Sequence, residues 1–191
     1  MNFIMNKEPI TVLLQKVKSG NNELLADIYT RLYDEIKQIA QYQIDKLNTG
    51  ETITPTVLTH ECFIKLTQQN KINIRNSQHF LNCLSISMRQ LLVDVYRSKL
   101  RFKRASQGIT KSFTQIAGDE DIDFKILELN YLLEKVEKID EIYAKILNYK
   151  LILTMTFPEI SQAIGKSERQ TIRLWNQAKS LLLALSKENY K

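Results

Sequence analysis

Two histidines and two cysteines are the side chains of this sequence best suited to metal chemistry, since both types bind zinc. His60, Cys62, His79 and Cys83 form neither a CxxC nor an HxxxH pair, so their spacing matches no zinc pattern. His60 and Glu61 could exchange protons as an acid/base pair, but they fall on a predicted helix flank without a pocket, which favours a solvated or partner-facing pair. Glycine-rich phosphate-binding motifs and HExxH are absent from the sequence. We therefore predict a non-enzymatic protein with no catalytic residue, no metal ion, no cofactor and no small-molecule substrate.

Basic residues form a second group, whose charge suits phosphate. Arginine and lysine recur at short intervals from Arg97 to Arg104. The whole chain carries a net charge of +6; residues 1–104 and 141–191 are net basic, whereas residues 105–140 are net acidic. A basic surface attracts nucleic acid through phosphate contacts and the release of counterions. The charge pattern therefore indicates a polyanionic partner, although such a run taken alone is often only a solvated face.

The basic run lies at the end of a long amphipathic helix, which we predict from Ser77 to Arg104. Its apolar residues recur at steps of one, three and four positions, which is the spacing of one helix face. They are Phe80, Leu81, Leu84, Met88, Leu91, Leu92 and Val95. Such a buried face holds the charged end on a rigid support. Because Phe80 begins this face, burial in the core is favoured for it over contact with a base.

A helix-turn-helix is predicted near the C-terminus. Its first helix covers Phe157–Ile164 and ends at Gly165, which can adopt the left-handed conformation. Ser167 and Gln170 form a capping box that starts the second helix, which runs from Glu168 to about Leu185. The predicted inner face of this second helix contains Ile172, Trp175, Ala178, Leu182 and Leu185. The opposite face contains residues able to read base edges in the major groove: Arg169, Gln170, Arg173, Asn176 and Gln177.

The remaining sequence predicts an all-α fold of two small helical domains. The chain has 191 residues, of which only five are glycine and three are proline, a composition that favours helix over sheet. The predicted helices run from Thr11 to about Lys18, from Asn21 or Asn22 to about Ile44, from Pro55 to about Gln69, over residues 126–136, and from the cap residue Asp140 into Leu151. The predicted apolar face of the second helix includes Ile28, Leu32 and Ile36. The third carries Val57, Leu58, Cys62 and Leu66 on one face, which Phe63 and Ile64 widen. The predicted domains are 1–104 and 125–191, joined by a linker over 105–124.

No segment of the sequence predicts a membrane anchor or a secretory signal. No apolar run approaches the roughly 18 residues of a membrane span. The first residues, MNFIMNKEPI, lack a charged start followed by an apolar core. We therefore expect a cytoplasmic protein whose cysteines are reduced.

Four separated segments resemble bacterial RNA polymerase sigma factors of the extracytoplasmic-function (ECF) type. Residues 55–66, PTVLTHECFIKL, resemble the P-T-x-L-x-H-E-x-x-x-x-L stretch of one ECF subgroup. His79-Phe80, Met88-Arg89 and Leu92-Val93-Asp94 resemble the H-F…M-R-x-x-L-V-D pattern of that subgroup. The N-terminal stretch over 10–36 and the helix-turn-helix resemble the same family in the same order. The resemblance implies two helical domains and a role in promoter-specific initiation of transcription.

The resemblance also implies partners. They are core RNA polymerase, contacted at the clamp helices of its largest subunit and at its flap, and promoter DNA; an anti-sigma factor is left open as a further partner. The helix that starts at Pro55 would dock on the clamp helices. Its implied contact residues are Thr59, His60, Glu61 and Lys65.

The implied DNA contacts fall into two groups. The loop before Ser77 and the helix that follows it would engage the opened −10 element and its phosphates. The residues of this group are Arg75, Asn76, Ser77, His79, Phe80, Arg89, Arg97, Lys99, Arg101 and Arg104. The second helix of the helix-turn-helix would read the −35 element. The residues of this group are Lys166, Arg169, Gln170, Thr171, Arg173 and Lys179.

Two other functions stay open at this point. A stand-alone helix-turn-helix regulator would bind duplex DNA as a dimer without polymerase, at a palindromic site with half-sites about one helical turn apart. A protein whose helices bind only protein partners would show no salt-dependent affinity for DNA. Both classes differ from a sigma factor in what they bind when polymerase is absent.

Overall fold

The structure of this chain is a computed structural model that describes residues 28–47, 53–68, 77–104 and 126–188. These residues are helical with short connections and contain no strand, which confirms the predicted all-α fold. The helices are α1 (Tyr33–Leu47), α2 (Pro55–Gln68), α3 (Ser77–Arg104), α4 (Ile126–Ile139), α5 (Glu141–Leu151), α6 (Phe157–Ile164) and α7 (Glu168–Glu188). The predicted helix from Thr11 to Lys18 and the predicted linker lie outside the described residues.

Helix α1 is preceded by an interruption in the single helix that the sequence predicts, whose predicted start at Asn21 or Asn22 lies outside the described residues. A helical turn over residues 28–31 precedes it, and Leu32 separates the two as a turn residue. The Leu32 N–H is shared between the carbonyl oxygens of Ile28 and Tyr29, at 3.1 and 3.2 Å. The predicted single helix is therefore divided at this point, although Ile28, Leu32 and Ile36 are all buried as predicted. The C-terminal end of α1 lies at Leu47, slightly beyond the predicted Ile44.

Helix α2 turns a narrower stripe inward than the sequence predicts. Leu58, Cys62 and Leu66 are buried at steps of four residues, as predicted. Val57 and Ile64 are predicted on the same side but are 47% and 39% exposed. At about 100° per residue, both lie on the face opposite the buried stripe. The prediction for these two residues is therefore wrong, because the apolar pattern of α2 is wider than its buried face.

The turn of the helix-turn-helix lies at Gly165, as predicted. The buried face of its second helix differs from the prediction by one position. Gly165 adopts the left-handed conformation, with φ 65°, and ends α6. Along α7, Trp175, Ala178 and Leu182 are buried as predicted. Ile172, which is predicted on the inner face, is 37% exposed, and its neighbour Thr171 is buried instead. At about 100° per residue, Ile172 lies about 90° from the centre of the stripe formed by the buried residues Thr171, Trp175, Ala178 and Leu182, so it falls outside the inner face.

The first half (described residues up to 104) and the second half (residues 126–188) pack against each other. Helix α3 contacts α4, α5 and α6, so it lies between its own half and the other one. Buried residues of both halves form one continuous hydrophobic core. Phe80 and Leu84 of α3 and Ile146 and Tyr149 of α5 are among its members. The long amphipathic helix is therefore the central element of the fold.

Within the described residues, no helix combines the length and the apolar character that crossing a bilayer requires. Nor do their histidine, cysteine and carboxylate side chains gather into a group of three or more that could hold a metal ion. Cys62 and Cys83 are free thiols, and burial raises the pKa of Cys62 to about 12.

Candidate nucleic-acid interface

One face of α7 presents polar and basic side chains to solvent. Arg169, Gln170 and Arg173 are exposed on its first turns, and Asn176 and Gln177 follow on the next turn. A shallow groove of about 580 Å³ runs along this face. Its lining residues are Tyr143, Arg169, Ile172, Arg173, Asn176, Gln177 and Ser180. Arginine, asparagine and glutamine are the side chains that make bidentate contacts with guanine and adenine edges, so this face is suited to reading duplex DNA.

Two capping boxes fix the position of this face. Thr156 accepts from the Glu159 N–H at 3.5 Å, and its own N–H donates to Glu159 Oε2 at 2.7 Å, so α6 starts at a defined residue. Ser167 and Gln170 repeat the arrangement for α7: the Ser167 N–H donates to Gln170 Oε1 at 3.1 Å, and the Gln170 N–H donates to Ser167 Oγ at 3.3 Å. The second box is predicted from the sequence, and the first is not. Its T-x-x-E spacing is a signal that would have located the start of α6.

One residue of the predicted −35 group lies on the interior face of α7. Thr171 is fully buried, and its hydroxyl donates to the Ser167 carbonyl oxygen at 3.0 Å. A side chain in this position supports the helix and does not face DNA, which corrects its assignment. Of the remaining lysines, Lys166 is exposed beside the turn, and Lys179 is half-buried. The structure therefore gathers Lys166, Arg169, Gln170 and Arg173 on one surface and leaves Thr171 behind it.

The start of α3 is the segment predicted to contact the opened −10 strand. Arg75 and Asn76 lie outside the described residues, and Ser77 is the first residue of the helix. His79 is half-buried, and its Nε2 lies 3.7 Å from Cys83 Sγ. Phe80 is fully buried in the core, which agrees with the burial that its place in the apolar stripe favours. Its ring is therefore not available to a base in this conformation.

Arg89 departs most from its assignment, because it is only 3% exposed. Its Nη1 donates to the carbonyl oxygen of Asn130 in α4, at 3.4 Å. Burial lowers the pKa of the guanidinium, while the carboxylates of Glu137 and Glu134 oppose the change. An arginine stays charged in a protein, so α3 carries a buried cation against the second half. In this arrangement Arg89 cannot contact phosphate.

The last turns of α3 carry the rest of the basic group. Arg97 is exposed, and its Nη1 lies 3.9 Å from Asp94 Oδ1. Lys65 of α2 approaches the other oxygen of the same carboxylate, Oδ2, at 3.7 Å. Ion pairs this exposed contribute little to stability, so both cations can exchange Asp94 for phosphate at low cost. Lys99, Arg101 and Arg104 continue the helix to its C-terminal end.

The outer face of α2 is the predicted polymerase contact. His60 and Glu61 are exposed there, and the His60 ring lies 5.7 Å from that of Tyr33. Thr59 does not belong to this face, because it is fully buried and its hydroxyl donates to the Pro55 carbonyl oxygen at 2.7 Å. The Tyr29 hydroxyl also donates to the Thr59 carbonyl oxygen. Position 59 lies about 100° from position 58, on the edge of the buried stripe, so its assignment to the contact is corrected.

Sequence reasoning missed two members of this outer face. Val57 and Ile64 are exposed apolar residues on either side of His60 and Glu61. They add exposed apolar area beside this polar pair, on the face that the resemblance assigns to polymerase. The spacing of Leu58, Cys62 and Leu66 could have indicated this. These three residues already form one complete helix face, which leaves Val57 and Ile64 outside it.

Comparison with known proteins gives one match. The family model described as ECF sigma factor matches residues 7–185, which is most of the chain. No curated protein and no solved structure matches the chain significantly. The match includes α2, α3 and both helices of the helix-turn-helix within a single aligned span.

Proposed function

The chain belongs to the ECF sigma factor family, and on that premise we propose that it directs core RNA polymerase to promoters by reading a −35 and a −10 element. The family acts in transcription initiation and is not enzymatic, so the polymerase supplies the catalysis. The partners proposed for this chain are RNA polymerase and promoter DNA. The proposed location is the cytoplasm. Roles for individual residues are proposed from the surfaces that the described residues form.

The exposed face of α7 carries the proposal for the −35 element. Arg169, Gln170 and Arg173 are held together by a capped helix start, and their side chains face solvent. Each good bidentate contact with a base discriminates by about 1–3 kcal/mol. Lys166 beside the turn supplies charge for the phosphate backbone. This combination of base-reading and phosphate-binding groups is what duplex recognition requires.

The outer face of α2 carries the proposal for polymerase binding. Val57, His60, Glu61 and Ile64 form an exposed surface of two apolar and two polar residues. Lys65 lies at its border, paired with Asp94. Residues buried behind this face, including Leu58 and Cys62, hold α2 on the core. Contact with the clamp helices of the largest polymerase subunit is proposed for this surface, and contact with the flap for the second half.

The −10 role is proposed for α3. Arg97 and the basic residues after it would hold the phosphates of the opened strand, since phosphate contacts position nucleic acid without reading sequence. The start of α3, from Ser77 to His79, would contact the bases. Arg89 joins this group only if the second half moves away from it.

Transcription in vitro tests the function. The purified chain is added to core polymerase with fragments of genomic promoter DNA, and transcripts are mapped at their 5′ ends. We expect initiation at defined sites that depends on the chain. Sequence-specific DNA binding without polymerase, together with no transcription, would identify a stand-alone regulator instead.

A further inference from the structure

A tyrosine of α5 contacts the exposed face of α7 that is proposed to read DNA. The Tyr143 hydroxyl donates to Gln177 Oε1 at 3.3 Å. Both residues line the groove of about 580 Å³ that runs along this face. Gln177 is exposed, whereas Tyr143 is half-buried. The bond therefore joins a side chain on the proposed DNA-reading surface to a neighbouring helix.

Tyr143 is held in place at its main chain and at its ring. Its N–H donates to Asp140 Oδ1, the cap of α5, at 3.0 Å. Its ring packs against the hydrophobic core, and α5 and α7 are in direct contact. Because both the main chain and the ring are fixed, the hydroxyl has a defined position beside α7.

Gln177 continues the line of side chains that the proposed function assigns to base contacts. It lies four positions after Arg173, so the two side chains are neighbours on one face of the helix. Arg169 and Gln177 are roughly 12 Å apart along the helix axis at 1.5 Å per residue. The major groove of DNA is about 12 Å wide. Gln177 is therefore within the length of helix that a major groove can accommodate.

The orientation of the Gln177 amide decides which hydrogen-bonding groups it offers to DNA. A glutamine amide has one acceptor oxygen and two N–H donors. In its usual pair with adenine it uses both kinds, accepting from N6 and donating to N7. Here Oε1 is turned toward the Tyr143 hydroxyl, and Nε2 points away from it. The groove side of this amide consequently presents donors.

We infer that Tyr143 is a positioning residue that holds Gln177 as a hydrogen-bond donor, so that Gln177 selects guanine over adenine at one position of the −35 element. Guanine presents two acceptors in the major groove, N7 and O6, whereas adenine presents N7 and the donor N6. An amide that offers only donors fits the first pattern and leaves the adenine N6 group unpaired. The inference rests on the proposed function, because it deepens the reading of duplex DNA by α7.

Selection of promoter fragments by the holoenzyme tests this role. Core polymerase carrying the full chain is mixed with fragments randomised over the −35 region, and the bound fragments are sequenced. Gln177→Ala identifies the position that Gln177 reads, since the preference there should disappear. At that position the wild type should prefer guanine to adenine by about fivefold, the lower end of discrimination by one good base contact.

Tyr143→Phe removes the hydroxyl and keeps the ring, so the amide is free to turn. We expect the guanine preference to fall to about twofold or less, with the other positions unchanged and with little change in thermal unfolding. The control Tyr131→Phe removes a hydroxyl from an exposed tyrosine of α4 and should leave the preference as in wild type.

A double variant separates orientation of the amide from a general structural effect. If Tyr143 acts through Gln177, Tyr143→Phe added to Gln177→Ala should change base selection no further. A loosened α7 would instead reduce selectivity at several positions. Gln177→Glu provides a second reading, because a carboxylate offers only acceptors and should shift the preference from guanine toward cytosine, whose N4 group donates.

The outcomes distinguish this inference from the proposed function. An adenine preference in wild type, equal preferences in wild type and Tyr143→Phe, or no position affected by Gln177→Ala would overturn the inference. In each of these cases the holoenzyme still selects a −35 sequence, so the proposed function stands. A chain that fails to bind core polymerase, or a holoenzyme that selects no upstream sequence, would overturn the proposed function and the inference with it.

Discussion

Tyr149 and Gln78 lie 71 positions apart in the chain, and a hydrogen bond of 3.0 Å joins the hydroxyl of the first to the carbonyl oxygen of the second. The Tyr149 ring is fully buried, and burial, followed by the nearby Cys83, raises the pKa of its hydroxyl. The hydroxyl therefore stays protonated over the whole physiological range and remains a donor. This bond ties the start of α3 to the middle of the second half.

Alkaline pH should weaken the fold through this tyrosine. The unfolded chain releases a tyrosine proton near pH 10, whereas folded Tyr149 keeps it, so the unfolded state binds fewer protons and stability falls as pH rises. Denaturant unfolding between pH 9 and 11 should show a decline that is shallower in Tyr149→Phe, by up to about 1 kcal/mol per pH unit. The exposed Tyr131 provides the control, since Tyr131→Phe should keep the wild-type slope.

Removing Arg173 should weaken upstream recognition without affecting polymerase binding. Its side chain is exposed on the reading face of α7, so Arg173→Ala should cost about 1–3 kcal/mol of discrimination at one base pair. Holoenzyme binding to promoter fragments measures this cost. Lys187→Ala removes the same charge from the far end of α7 and should reduce binding only slightly. Similar losses in both variants would indicate that net charge, rather than the reading face, determines recognition.

Thr171 should behave differently from its neighbours on α7. Because the side chain is buried and bonds to the Ser167 carbonyl oxygen, Thr171→Val should lower the free energy of unfolding by about 1 kcal/mol. Promoter specificity should stay unchanged once the variant is folded. A changed base preference in a promoter library would return Thr171 to the DNA contact.

Reversing the charge of Glu61 should weaken association with core polymerase. Glu61 is exposed on the outer face of α2. A basic group of the partner surface that attracts Glu61 would repel a lysine at the same position, so Glu61→Lys should reduce affinity about tenfold. Fluorescence anisotropy with core polymerase measures this affinity. The control Asp45→Lys reverses an exposed charge on α1 and should bind as wild type does. Unchanged affinity in Glu61→Lys would exclude this face from the contact.

Gly165 should be sensitive to any side chain. Its φ of 65° disfavours L-residues, although a Cβ placed there would meet no atom within 4 Å. The cost of Gly165→Ala is therefore conformational, about 1–2 kcal/mol, and corresponds to a melting temperature lower by roughly 2–8 °C. Gly165→Asn should cost less, because asparagine tolerates this conformation better. Thermal unfolding of the two variants checks the order.

Local signals in the sequence located most of the helices and part of the candidate interface. The apolar stripe of α3, the Asp140 cap and the Ser167–Gln170 box all lie within a few residues of the features they determine, so short-range chemistry was sufficient. Positions at the edge of a helix face were less certain. Thr59, Thr171 and Ile172 each lie about one residue step from the boundary between buried and exposed, and only tertiary packing decides such positions.

The burial of Arg89 could not be predicted from local pattern. Nothing near it in the sequence differs from a surface arginine, and its acceptor lies 41 positions away in another helix. The same holds for Gln43, whose acceptors are 108 and 109 positions away. These contacts depend on how the two halves pack against each other, which the spacing of residues within one helix does not show.

The hydrogen bonds that Gln43, Arg89 and Tyr149 donate between the two halves all end on main-chain carbonyl oxygens: those of Gln78, Asn130, Leu151 and Ile152. A carbonyl oxygen is present whatever side chain occupies its position. These bonds therefore place no requirement on the side chains of the acceptor positions, although Leu151 and Ile152 must still fit the core in which they are buried. Only the donors Gln43, Arg89 and Tyr149 need a particular side chain for the bonds, so methods that infer contacts from correlated substitution would find little signal in them.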